Sequence, residues 1–258
     1  MVALSLMASA GCTREYTDIE YMDFAQQELV KGDRQAALIQ LKNAVRVNPD
    51  NADARMELAS LYLKDGAAVP AEKELEKAAD LGVISEQWAI DMAKAKIMLG
   101  KFDEVEAILA KIDESSELHS ISLALQGEAQ LAMGKPGKAK SLLLNALQQD
   151  EQNEIALLGL AREAAVASNF EAANGYIEQV LRNNSGNWQA WKMKGELAFI
   201  NKDYDSALVA YQKANENEGA AKGAINNNNL EIYLAEIRTN IAMEEFLKII
   251  SPELLKSC

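Results

Sequence analysis

The chain has 258 residues, 49% hydrophobic and 25% charged, a globular composition far from disordered or collagen-like sequences. Four Pro and fourteen Gly are too few for a turn-dense sandwich or barrel, and the Ala- and Leu-rich apolar set favours helices. A net charge of −13 argues against nucleic acid as a partner, while one His and two Cys leave no disulfide framework, no zinc site and few parts for His-based catalysis.

Residues 2–11 open the chain as an uncharged apolar stretch ending in small residues before Cys12. It is too short to span a bilayer and reads as the end of a secretory signal. Ala10-Gly11-Cys12 resembles a bacterial lipobox, although Ser9 stands where that motif prefers Leu and no Lys or Arg precedes the stretch. The resemblance implies lipidation at Cys12, and Thr13 after the cysteine implies the outer membrane. Membrane contact is then expected only through that lipid.

From residue 18 the chain repeats itself. Gly32, Gly66, Gly100 and Gly134 are each 34 residues apart, and Ser168 and Lys202 continue the step. Ala37, Ala71, Val105, Ala139, Ala173 and Ala207 follow five residues after each of these positions. A second small series comprises Ala25, Ala59, Ala93, Gly127, Ala161 and Gly195, and a large apolar one Leu41, Leu75, Leu109, Leu143, Ile177 and Tyr211. Each cycle reads as helix, turn, helix: small residues let the helices approach closely, large ones fill the space between units, and glycine supplies a left-handed cap. Six cycles are expected at 18–51, 52–85, 86–119, 120–153, 154–187 and 188–219, with residues 1–17 as leader and tether. The turns at Ser168 and Lys202, lacking glycine, are expected to be weaker.

Trp191, Gly195, Tyr204, Ala207, Tyr211 and Ala214 in one unit, with the turn Asn48-Pro49-Asp50-Asn51, resemble the tetratricopeptide-repeat family. The likeness covers about residues 18–219. It implies an all-α, right-handed α-solenoid of tandem antiparallel helix pairs, acting as a non-enzymatic scaffold for a protein or peptide ligand. In that family the second, fifth, ninth, twelfth and thirteenth positions of each first helix face a concave groove. Carried over, the fifth positions give Met56, Ile90, Leu158 and Lys192. The ninth give Ser60, Lys94, Glu128, Arg162 and Glu196, and the twelfth Leu63, Ile97, Leu131 and Phe199. No ninth position carries Asn, so the clamp that holds a C-terminal carboxylate in some members is absent. An amphipathic helix or an extended peptide would suit such a floor.

His119, with Glu114, Ser116, Glu117 and Ser120 nearby, reads as a solvated turn histidine. The acidic residues from Asp103 to Glu117 follow helix spacing, as a solvated face does, rather than calcium-loop spacing. No phosphate-cradling loop or zinc-ligand helix occurs, so no cofactor, metal or catalytic residue is expected. Residues 220–258 lose the register: Asn226 to Asn229 read as a loop, and Leu230, Tyr233, Leu234, Ile237, Ile241 and Leu247 recur at helical spacing. That helix is expected either to cap the array or to begin a further repeat in a longer one.

Among secreted members, the pattern looks most like the lipoproteins of PEP-CTERM/exosortase systems that export exopolysaccharide. The expectation is therefore a scaffold on the periplasmic side of a bacterial envelope. Lipoproteins of outer-membrane protein or pilus assembly are the alternative, as is a cytoplasmic regulatory module if the lipobox is incidental. Most of the negative charge lies on residues 1–129, an acidic end that would steer a basic partner.

Overall fold

A computed structural model of the chain describes residues 15–222, 235 and 237–243. Among these no strand occurs, and helices follow one another in pairs. The first pair is α1 (Asp18–Val30) and α2 (Arg34–Val47), the second α3 (Ala52–Lys64) and α4 (Ala68–Asp80). Then come α5 (Glu86–Met98) with α6 (Phe102–Leu109), and α7 (His119–Ala132) with α8 (Pro136–Gln149). The last two pairs are α9 (Glu154–Val166) with α10 (Phe170–Asn183), and α11 (Trp188–Ile200) with α12 (Tyr204–Lys222). Each second helix packs on its own partner and on the first helix of the next pair, so the array is an α-solenoid.

Local chemistry starts the helices. Thr17 forms a reciprocal capping box with Glu20, and Asp33, Asn51, Ser85, Asn153, Asn169 and Asn187 each accept a backbone N–H three residues on. The turns within pairs share one geometry. Gly32, Gly66, Gly100 and Gly134 have φ between 71° and 80°, and Ser168 and Lys202 take the same left-handed position at 59°. Their hydrogen bonds match as well: Ser168 N–H donates to Ala165 O at 2.9 Å and Asn169 N–H to Ala164 O at 2.8 Å. The closed turn is thus formed without glycine, with the strain carried in the Ser and Lys backbone.

The small series lies at the helix crossings. Ala37, Ala71, Ala139, Ala173 and Ala207 are all fully buried, with Leu41, Leu75, Leu143 and Ile177 between them. Leu143 is the tightest key. A Cβ added to Gly127 of the same pair would lie 2.7 Å from it, and one added to Gly159 of the next pair 2.8 Å. Arg55, the one buried arginine among the described residues, is satisfied by Pro49 O, 2.8 Å from Nε, and by an ion pair with Glu74.

A polar staple also recurs. A side chain at the first or second position of a first helix receives hydrogen bonds from the turn that leads to the next pair. Asn48 and Asn51 each donate to Asp18 at 2.7 Å, and Ser116 donates to Glu86 at 2.5 Å. Asn153 donates to Ser120 at 2.7 Å, and Asn184 and Asn187 donate to Glu154 at 3.0 and 2.7 Å. Asn51, Asn153 and Asn187 meanwhile cap the helix that follows them. One side chain therefore ties three elements together.

Two departures from the regular cycle stand out. Helix α6 has 8 residues where α2, α8 and α10 have 14. Its cycle carries Ile112 where most others have Ala, and Asp113 then turns the chain by accepting Ser115 N–H at 2.9 Å. At the other end α12 runs to Lys222, past the expected boundary at 219. Residues 237–243 are helical, with Ile237 buried against Ala207, Tyr211 and Ala214 and Ile241 packed beside it. The leader with Cys12, the Asn226–Asn229 loop and Leu230, Tyr233, Leu234, Leu247 and Cys258 lie outside the described residues.

Candidate functional site

Four of the six first helices end on an exposed large apolar side chain at the thirteenth position. Val30 is 80% exposed, Met98 46%, Val166 80% and Ile200 56%, all on the same 34-residue grid. An isolated exposed aliphatic side chain is ordinary, and it is their repetition on one grid that makes this edge the candidate site. Its last two members line neighbouring recesses.

The first recess, about 380 Å³, lies between α7 and α9, with Ile97, Leu131, Pro136 and Val166 as apolar walls and Glu128 and Arg162 at its polar side. The second, about 330 Å³, lies one pair further along, between α9 and α11. There Ala165, Val166, Met193, Leu197 and Ile200 meet Arg162 and Glu196. Arg162 and Val166 belong to both, so the two recesses form one stepped groove across the last three pairs. Both fall at the lower end of the roughly 300–1,000 Å³ usual for ligand pockets.

The charges along this groove are paired with each other. Arg162 Nη1 donates to Glu128 Oε1 at 3.1 Å, across one full repeat. Lys192 lies 3.7 Å from Glu196, and Lys140 lies 3.2 Å from Glu163. Lys94, in the third pair, sits 3.4 Å from Asp91.

The sequence-derived positions divide accordingly. Ile97, Glu128, Leu131 and Arg162 come together in the first recess, and Glu196 joins Arg162 in the second. Two positions need correction. Ile90 and Leu158, at 1% and 8% exposure, belong to the core and offer no groove floor. Their helices present the fifth position to the neighbouring pair, where large apolar residues enclose it. Met56 and Leu63 are half-buried against Ala59 and Leu75, with Ser60 half-buried on the same helix. Phe199 packs on the last pair and meets the Tyr204 ring edge-on at 5.6 Å.

Sequence reading missed Val166, Met193 and Ile200. The thirteenth-position series was the available signal, since Val30, Met98, Val166 and Ile200 are apolar at steps of 34 or its multiple, just where a helix ends. The reading of His119 also changes. It opens α7 half-buried, and its Nδ1 is enclosed without a hydrogen-bond partner. Ser120 is occupied elsewhere: its hydroxyl donates to Ala146 O at 3.0 Å and accepts from Asn153. Among the described residues no three His, Cys, Asp or Glu side chains gather as a metal site, and no helix is long and apolar enough to cross a membrane.

Residues 22–82 and 158–221 match the family model of the tetratricopeptide repeat. The fold is a tetratricopeptide-repeat solenoid. Solved structures agree on the architecture. The chain is similar to Pseudomonas aeruginosa pilF at 20% identity over 76% of this chain and 89% of that one, with a TM-score of 0.53. It is similar to PilW, described as a type IV pilus biogenesis factor, at 17% identity over 76% and 91%, with a TM-score of 0.58. A tetratricopeptide-repeat protein from Parabacteroides merdae covers 93% of this chain and 97% of its own length, at 19% identity and a TM-score of 0.53. These structural likenesses show a shared tetratricopeptide fold and leave the ligand open. No curated protein matches the chain by sequence.

Proposed function

We infer that this chain is a protein-interaction scaffold that receives a partner segment in the concave groove of its last three helix pairs. The observation that carries this reading is the stepped apolar groove, in which exposed Val166 and Ile200 repeat one unit apart. A preformed surface held by rigid helix crossings lowers the ordering cost of binding. A photo-crosslinking residue placed at Ile200 is expected to yield partner adducts, and one at exposed Val209 on α12 is not. Equal adducts from both positions would sink the groove.

The reading extends to place and purpose. The scaffold is tethered on the periplasmic side of a bacterial envelope by a lipid on Cys12 and organises an export or exopolysaccharide assembly there. Ala10-Gly11-Cys12 supports the tether. The description of PilW as a pilus biogenesis factor favours a second version, in which the assembly served is a pilus. Fatty-acid labelling lost in Cys12→Ser is the expected result for either, and labelling equal to that of the unaltered chain overturns the tether.

A further inference from the structure

We propose that the groove of the last three pairs takes an amphipathic helix with an uncharged apolar face, not an extended peptide; the proposal rests on the scaffold reading above. The walls are themselves helices, so apart from the carbonyls of their last turns and the Gly134 turn their backbone groups are bonded internally, and no row of free N–H and C=O groups runs along the groove. The side chains that could serve instead are already engaged. Glu128 is bonded to Arg162, Glu163 to Lys140, and Glu196 faces Lys192, while the rest of the lining, Gly134 apart, is aliphatic or Met. No Asn or Gln lines either recess. An extended segment would therefore desolvate its own N–H and C=O groups with no row of partners to replace water. A helix brings its backbone already satisfied.

Spacing and charge agree with that occupant. Neighbouring recesses step by one repeat, and packed helices lie about 8–10 Å apart. Residues i and i+7 of a helix share a face and are about 10.5 Å apart, so one apolar side chain can enter each recess. The groove's acidic and basic groups neutralise one another in pairs, and its exposed members Val166 and Ile200 carry no charge. Despite a chain charge of −13, the occupant's contact face is expected to be neutral.

Two display libraries test this against the full chain. One varies the apolar stripe of a roughly four-turn helix on a stable helical hairpin. The other is linear, with prolines placed to forbid helix. Clones from each are measured against the unaltered chain and against Val166→Asp and Ile200→Asp, whose side chains are too exposed for the change to disturb folding. The expected result is enrichment from the helical library, with affinity falling roughly ten-fold or more in both variants and changing less than about two-fold as salt is raised. Groove-dependent binders from the linear library alone overturn the helical occupant and leave the scaffold reading standing. Binders indifferent to both variants, or no binder from either library, overturn the groove itself. Strong weakening by salt overturns the neutral face.

Discussion

Ser168 and Lys202 occupy a left-handed backbone position that costs an L-residue about 1–2 kcal/mol and glycine almost nothing. Ser168→Gly and Lys202→Gly are each expected to raise stability by about 0.5–1 kcal/mol, part of the gain being offset by the greater entropy of unfolded glycine. Urea unfolding measures this, and a loss of stability in either would mean that the side chain contributes what the geometry does not reveal. Gly127 is the opposite case. Alanine there adds helix propensity worth about 1 kcal/mol but brings its Cβ within 2.7 Å of fully buried Leu143. Overpacking costs about 1–3 kcal/mol, so Gly127→Ala is expected to destabilise. The discriminating measurement is a double-mutant cycle with Leu143→Ala, in which the penalty should largely vanish.

At the scale of elements, the staples between pairs couple stability to pH. Hydrogen bonds from Asn51 and Asn48, in that order, hold the Asp18 carboxyl below its ordinary range despite some loss of solvation. A carboxylate with a lowered folded-state pKa contributes stability above its unfolded value, near 3.9, and loses it as pH falls through the folded value. Asn48→Ala spares the cap that Asn51 places on Ala54. The stability gap between this variant and the unaltered chain should narrow as pH drops from about 5 to about 2. A gap constant over that range would dissociate Asn48 from the Asp18 charge. Helix pairs and their glycine turns were legible because each depends on residues within one 34-residue cycle. The burial of Ile90 and Leu158 was not, because it depends on how closely the next pair approaches. The short α6 escaped too: Phe102, Val105 and Leu109 keep the regular spacing, and the turn comes only from Asp113 competing for backbone further on.

On the scale of the whole molecule, stability is a sum over neighbours rather than a property of one core. Leu143 touches the series on both sides of the fourth and fifth pairs, beside Ala124, Ala146, Ala156 and Leu160. Leu143→Ala should cost about 2–5 kcal/mol. Its more telling effect is on cooperativity: unfolding is expected to split into two steps, with hydrogen-exchange protection lost first in α7, α8 and α9. A single transition shifted intact would show that coupling reaches beyond adjacent pairs. The groove was half legible at this scale. Glu128 and Arg162 could be found one cycle apart, but their mutual neutralisation, and the aliphatic ladder beside them, are products of stacking.

The shortened α6 has a practical consequence. It leaves residues 110–118 as a stretch without helix inside an otherwise continuous array, with Glu114 and Glu117 exposed on it. A glutamate-specific protease is expected to cut there before it cuts within the flanking helices. Leu109 and Ile112 on one side of the cut pack in the same cluster as Leu125 and Ala129 on the other. The nicked halves should therefore remain associated in native buffer and separate only in denaturant. A seam of that kind would let the protein be expressed as two complementary fragments, joined through the same apolar contacts that hold the intact chain.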